Sequence, residues 1–146
     1  MNLGSELSAL FERDLDRLRS ELDAIKDDEM LWIVAKDISN PPGNLILHIC
    51  GNLKHYVGAL LGGTGYVRER DLEFTGRATR VELVQNIDET KRIVTSFLAD
   101  APSTIWSQPC PQDPNGYEMS TAQLLIHLYG HLQYHLGQVN YHRRLL

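Results

Sequence analysis

Residues 121–144 read TAQLLIHLYGHLQYHLGQVNYHRR, and this stretch carries the clearest helix signal of the chain. Ser120 and Gln123 have the spacing of a capping box, and Arg143 suits the negative end of a helix dipole. Its apolar side chains recur mostly at three- and four-residue steps, which places them on one helix face: Leu124, Leu125, Leu128, Leu132, Leu136 and Val139. The stretch therefore predicts a long amphipathic helix whose apolar face contributes to a core.

The same stretch carries three histidines, His127, His131 and His135, at positions i, i+4 and i+8 of one helix face. His131 and His135 form H-x-x-x-H, a spacing at which imidazoles on successive turns can reach one metal ion. A leucine follows each of the three histidines, and one position is about 100° of helix rotation. The imidazoles are therefore expected beside the apolar stripe, at the border of the interior.

Three further amphipathic segments precede this one, at residues 3–26, 44–61 and 80–99, with turn-rich connections between them. Thr79 and Glu82 give the third of these segments a capping box of its own. Four helices of this length predict an all-α protein, a four-helix bundle. In the connection before the last helix, residues 104–109 and 116–119 could pair as a short β-hairpin.

Length and composition restrict the class of protein. The chain has 146 residues, which predicts a single domain over residues 1–146, and its 42% apolar content excludes a disordered chain. No apolar run is long enough to cross a membrane, and the charged N-terminus is unlike a signal peptide. Two cysteines, Cys50 and Cys110, make no disulfide framework, which favours a cytoplasmic location. A net charge of −5 gives no electrostatic reason to expect nucleic-acid binding.

A metal ion would need at least a third ligand, and the second segment offers His48 and His55, with Asn52 between them. The spacing alone leaves three interpretations open. The histidines could lie on a solvated or structurally bonded helix face, they could bind a metal, or they could form a catalytic pair without one. Periodicity does not determine whether the two helices meet at the same depth.

Two motifs are similar to those of one known family. LLIHLYGHLQYHLGQVNYHRRLL, residues 124–146, contains H-x-x-[HY]-H-x-G-Q, and NLILHICGN, residues 44–52, has an apolar run, a histidine and then a small residue. Both resemble the DinB/YfiT-like superfamily of metalloenzymes. The resemblance implies a DinB-like four-helix bundle that holds one divalent ion, zinc or nickel, with open positions. The family's ligands would fall on His48, His131 and His135.

Several other residues could support the expected metal ligands. Asn52, His127 and Gln138 are candidates to orient the ligand rings or bound water. His55 could also support the site, whereas His142 is expected to complement the helix dipole. Cys50 is expected to be a buried, inert thiol. Asp113 and Glu118 are the nearest carboxylates that could act as a general base, but their spacing fixes no geometry.

Three imidazoles leave a divalent ion with open coordination, which supports two chemistries. Bound water could be acidified and act as hydroxide in a hydrolase, or a small thiol could be deprotonated in an S-transferase. The resemblance favours the thiol-dependent transferase, with bacillithiol or mycothiol as examples of the thiol. The chain lacks the glutamate of H-E-x-x-H, since Leu132, Gln133 and Tyr134 lie between the two histidines. A non-catalytic metal-binding dimerisation module is the alternative from another class.

The sequence also leads to expectations about the oligomeric state and about the pH dependence of metal binding. The family often forms homodimers, and exposed-looking apolar positions on the first helix suggest a two-fold interface there. The other expected partner is a small-molecule substrate. Since imidazole coordinates only when neutral, its ordinary pKa of about 6.5 predicts that metal affinity falls below that pH.

Overall fold

The computed structural model describes residues 1–112 and 116–146, and these residues are predominantly helical. The helices are α1 (Leu3–Ala24), α2 (Pro42–Leu53), α3 (Arg70–Thr75), α4 (Arg80–Asp100) and α5 (Thr121–Leu145). A π-helical turn, Lys54–Leu61, continues directly from α2, and short 3₁₀ turns lie at Asp28–Trp32 and Ser103–Ile105. The four predicted segments are confirmed as helices, with bounds that differ by at most two residues at each end when the π-helical segment is counted with α2.

The four long helices form a bundle in which α1 packs against α4 and α5, and α2 packs against the same two helices. Contact between α2 and α5 brings the two histidine motifs to one interface. The α5 stripe is buried as predicted, from Leu124 to Val139, and on α1 the side chains of Phe11, Leu15 and Leu18 are 0% exposed. Burial of these apolar faces is what stabilises the bundle.

Both predicted capping boxes are present and define where α4 and α5 begin. Thr79 Oγ1 accepts from the Glu82 backbone N–H at 3.2 Å, and Glu82 Oε2 accepts from the Thr79 N–H at 2.7 Å. Ser120 and Gln123 make the same pair of bonds at 3.2 and 2.9 Å. Each box pairs backbone donors that the first helical turn leaves free, which fixes the register of the helix.

The predicted hairpin is wrong. Between residues 104 and 120, the described residues contain one isolated antiparallel bridge, Pro109 with Ser120, and no strand. Its two hydrogen bonds run from the Cys110 N–H to the Met119 carbonyl and from the Thr121 N–H to the Gln108 carbonyl, each at 2.8 Å. The Gln108 N–H, which a longer ladder would pair with Thr121, instead donates to the Ile105 carbonyl at 3.1 Å, and α5 begins at Thr121, so the pairing does not extend on that side.

A buried carboxylate ties α1 to α5. Asp14 is 0% exposed and accepts hydrogen bonds from Arg13 at 2.9 Å, Arg17 at 3.1 Å and the Tyr129 hydroxyl at 2.6 Å. The Gln133 amide donates to the same carboxylate. These bonds satisfy the buried charge and hold the α5 turn next to the predicted ligands in place against α1.

The exposed apolar surface lies elsewhere than the sequence suggested. No large apolar side chain of α1 is exposed, so the expected basis for an interface on the first helix is wrong. The helix is amphipathic, and most of its large apolar residues are buried in the bundle. Four exposed large side chains lie on α5 instead: Ile126, Tyr134, Tyr141 and Leu145. Within the described residues, no helix is both long and apolar enough to cross a membrane.

Candidate metal centre

Three histidines from two helices converge on one point. His48 on α2 and His131 on α5 bring their Nε2 atoms to 3.0 Å, and His135 Nε2 lies 3.1 Å from His131 Nε2. The three ligand atoms all lie within 4.8 Å of one another. His48 is buried, and the other two rings are half-buried. The structure therefore brings together the three residues that the family resemblance implied, in a group that could hold a metal ion.

Two of these rings are oriented through their other nitrogen. His48 Nδ1 lies 2.9 Å from Glu73 Oε1, and His135 Nδ1 lies 2.7 Å from Gln138 Oε1. A carboxylate and an amide oxygen accept hydrogen bonds and donate none, so both Nδ1 atoms carry the proton. The Nε2 atoms of neutral His48 and His135 then present lone pairs to the centre of the triad.

This protonation pattern fits a bound cation. His131 Nε2 has two close nitrogen neighbours, but a neutral imidazole has at most one N–H to donate from that atom. One of the two contacts therefore places lone pairs against each other unless a positive centre lies among them. Nitrogens about 2.0–2.1 Å from a shared ion are roughly 2.9–3.4 Å apart, close to the two separations observed. The donor set thus suits a divalent metal.

Burial favours the neutral form of the two ligands on α5, His131 and His135. Burial, together with the neighbouring His135 and His48, lowers the pKa of His131 from 6.5 to about 3. Burial also lowers the pKa of His135, and the hydrogen bond that His135 donates to Gln138 opposes this shift only in part. In the folded chain, His131 is therefore ready to coordinate well below the pH of about 6.5 expected from an ordinary imidazole.

Glu73, the partner of His48, is a residue that the sequence did not single out. It lies on α3, a six-residue helix that is absent from the predicted segments, and is the buried residue of that helix. Arg68 donates two hydrogen bonds of 2.8 Å to its carboxylate. Burial raises the pKa of Glu73, but the bonds from Arg68 and His48 outweigh it and leave the pKa below its ordinary value. The helix is short and has no side-chain cap at its start, so no sequence pattern points to this segment.

The other predicted residues have different outcomes. Gln138 reaches a ligand ring as described above, whereas Asn52 is buried and its Oδ1 finds no partner among the described residues. His127 is exposed and lies outside the group of three. His55 Nε2 faces Gln112 Oε1 at 3.3 Å and is not part of the group. His142, expected at the helix dipole, is 2% exposed in the last turn of α5, and burial lowers its pKa.

The cysteines and acidic residues contribute no ligand. Cys50 is fully buried, and burial raises the pKa of its thiol to about 11, which matches the expectation of an inert thiol. Asp113 lies outside the described residues. Glu118 lines a separate cleft with Cys110 and Tyr117. Within the described ranges, no cysteine, aspartate, glutamate or fourth histidine joins the three Nε2 atoms, so protein ligands do not close the site.

A cleft of about 1220 Å³ adjoins the triad on one side. His135 and Gln138 form part of its wall, with Tyr134 and Tyr141 from the same helix and Glu21 from α1. The side chain of Tyr134 is 65% exposed and lies edge-on to His135, with the two ring centroids 5.2 Å apart. A small molecule bound in this cleft would contact the ligand helix directly.

Comparison with known families agrees with this geometry. The model of the DinB superfamily matches residues 10–139, which include both histidine motifs and all five helices in whole or in part. The chain belongs to the DinB superfamily. A search of curated proteins found no match. Family membership and the three convergent histidines together define the chain as a helical protein with a possible metal site.

Proposed function

We propose that the chain is a metal-dependent S-transferase that holds one divalent ion, zinc or nickel, on His48, His131 and His135 and uses a small thiol as substrate. The observation that carries this proposal is the convergence of three Nε2 lone pairs, two of them fixed by acceptors at Nδ1. The ion would supply a Lewis acid with open positions, able to acidify a bound thiol or water.

The placement of the carboxylates favours a thiol over water as the nucleophile. Glu73 approaches the Nδ1 side of His48, behind the ligand atom, and two bonds to Arg68 occupy it. No described carboxylate joins the Nε2 side. A hydrolase gains from a positioned base that accepts the proton of water. A thiol, whose pKa is about 8.5, needs less help to become a nucleophile.

The residues around the triad would set the ligand geometry and bind the substrate. His131 and His135 project from successive turns of α5, so the helix sets their spacing, and His48 adds the third ligand from α2. Tyr134 and Tyr141 offer aromatic faces in the adjoining cleft for an apolar electrophile. In the transfer itself, the thiol sulfur forms a bond to an electrophilic carbon, the leaving group departs with its electron pair, and the thiol proton passes to solvent.

The test is an assay of the protein loaded with zinc or nickel against a panel of small thiols and an activated aryl halide. We expect thiol-dependent release of halide that requires the metal and is lost in His131→Ala. Hydrolysis of activated esters without thiol consumption would instead support a metal-dependent hydrolase. Full metal occupancy with no turnover of either kind would support a non-catalytic metal-binding module and contradict the proposal.

We also propose that the protein forms a homodimer, as the family resemblance implies, through the exposed α5 residues rather than through α1. Four side chains of α5 are each more than half exposed and lie within about 100° of one another around the helix, where a second copy could cover them: Ile126, Tyr134, Tyr141 and Leu145. Light scattering at micromolar concentration should give a particle of twice the chain mass. A particle of 16.6 kDa would contradict this proposal.

A further inference from the structure

We infer that Glu73 is the positioning residue of the candidate metal centre, and that Gly51 is the notch in α2 that admits its carboxylate to His48. The inference rests on the proposed function, because it assigns a role toward the metal that His48 would bind. It adds two residues, on two elements, that the histidine motifs do not contain.

The contact between Glu73 and α2 depends on a missing side chain. A Cβ placed on Gly51 would overlap Glu73 Oε2 and lie 2.6 Å from Glu73 Cδ, closer than real Cβ contacts occur. Gly51 lies in the last turn of α2, which continues directly into the π-helical segment, and glycine inside a helix costs about 1 kcal/mol relative to alanine. The position therefore gives up helix stability, and the carboxylate occupies the space that the glycine leaves.

Other contacts hold Glu73 in that space. Arg68 Nε and Nη2 each donate to the carboxylate at 2.8 Å, one to each oxygen. The Asn44 side-chain amide donates to the backbone carbonyl of Glu73 at 3.0 Å and to that of Gly76 at 2.9 Å. Asn44 and His48 lie one turn apart on α2, so α3 is attached to that helix by its backbone and by its glutamate at adjacent turns.

This arrangement determines which nitrogen of His48 is available. An ionised carboxylate that already accepts from Arg68 can only accept from His48 Nδ1, so the proton stays on Nδ1 and the lone pair on Nε2. Partners of this kind orient a ligand ring, and their removal typically weakens metal binding about 10- to 100-fold. By linkage, a metal bound at Nε2 must in turn strengthen the docking of α3 on α2.

The chain offers a matched pair of substitutions for a test. Gly51→Ala displaces the carboxylate, whereas Gly130→Ala makes the same change on α5, where an added Cβ meets nothing within 4 Å. Both replacements improve helix propensity, so propensity does not distinguish them. Glu73→Gln removes the charge without adding bulk, and it decides the question if Gly51→Ala does not fold.

The experiment measures the zinc dissociation constant of each metal-free protein by competition with a chromophoric chelator. We expect Gly51→Ala to bind zinc about 10- to 100-fold more weakly than the wild type and Gly130→Ala to match the wild type. We expect Glu73→Gln to be weakened in the same direction. Urea unfolding in the presence of chelator measures how much metal-free stability each variant loses, and a variant that stays folded while its zinc affinity falls separates positioning of the ligand from unfolding.

A second readout follows from the linkage. Zinc should slow backbone amide exchange in residues 68–76 of the wild type and of Gly130→Ala, and should do so less in Gly51→Ala. If the wild type binds zinc and both Gly51→Ala and Glu73→Gln bind it equally well, the inference is wrong while the proposed metal function stands. If the wild type binds no divalent metal, the proposed function is wrong and the inference falls with it.

Discussion

The Nε2 atoms of His48 and His131 lie 3.0 Å apart across the interface between α2 and α5, although 83 positions separate the two residues along the chain. One N–H···N hydrogen bond would explain this contact alone, but His131 Nε2 also lies 3.1 Å from His135 Nε2, and a neutral ring cannot donate from that atom to both. A shared positive centre accounts for both contacts, since it converts facing lone pairs into ligands. The contact therefore links the fold of the bundle to the chemistry proposed for it.

The metal-free protein should lose stability as the pH falls from about 6.5 toward 3. His131 titrates near 6.5 in the unfolded chain, but burial and the neighbouring histidines lower its folded pKa to about 3. Between these values the unfolded state binds more protons, so the free energy of unfolding decreases with decreasing pH. Urea unfolding in the presence of chelator, repeated over this pH range, should show that the free energy of unfolding depends less steeply on pH in His131→Gln than in the wild type. An unchanged slope would show that His131 is not held in the neutral form.

Asp14→Asn should destabilise the protein at pH 7 by about 1–3 kcal/mol, because it removes the buried charge to which two arginines, Tyr129 and Gln133 all donate. Burial raises the pKa of Asp14, but its bonds to Arg13 and Tyr129 outweigh that effect and leave the pKa below 3.8. Its stabilising contribution is therefore complete above about pH 3.8 and is lost as the pH falls through the lower folded value.

A neighbouring residue supplies the control for this substitution. Asp16 is on the same helix and pairs with Lys91 at 2.8 Å, but its side chain is 57% exposed. Asp16→Asn should cost no more than about 1 kcal/mol, since exposed ion pairs contribute little. Chemical denaturation of both variants measures the difference. Equal losses would mean that the Asp14 network does not hold α1 against α5 in the way described.

Two glycine substitutions should change stability in opposite directions. A Cβ on Gly4 would lie 2.5 Å from the Leu98 carbonyl oxygen, a backbone atom that cannot easily move, so Gly4→Ala should destabilise the packing of α1 on α4. A Cβ on Gly137 meets nothing within 4 Å, so Gly137→Ala should stabilise α5 by up to about 1 kcal/mol. Thermal unfolding of both variants in chelator compares them, and a stabilised Gly4→Ala would be inconsistent with this packing.

The long helices could be predicted because their signals are local. The apolar period of α5 and the capping boxes at Thr79 and Ser120 depend on residues within one or two turns, and each of them is present in the structure. The hairpin failed for an equally local reason, since the turn before Gln108 accepts its N–H and α5 begins directly after Ser120.

The candidate site could be predicted only in part, because half of it depends on contacts between distant segments. The spacing of His131 and His135 is a property of one helix, and the resemblance added His48. Glu73 lies 25 positions from His48 along the chain, and its contact with that ring depends on the missing side chain of Gly51 and on the hydrogen bonds from Arg68. No periodicity reveals such a contact, because α3 is held by its buried glutamate and by hydrogen bonds rather than by an apolar stripe.

The central claim is that His48, His131 and His135 bind one divalent metal ion. Metal analysis of the purified protein, reloaded with zinc or nickel and then desalted, tests it when His131→Ala is compared with His127→Ala. Both substitutions replace a histidine by alanine on α5, one turn apart, so effects on helix propensity largely cancel. We predict about one ion per chain in the wild type and in His127→Ala, and loss of most of the metal in His131→Ala. Equal metal content in the two variants, whether both retain it or both lose it, would contradict the account.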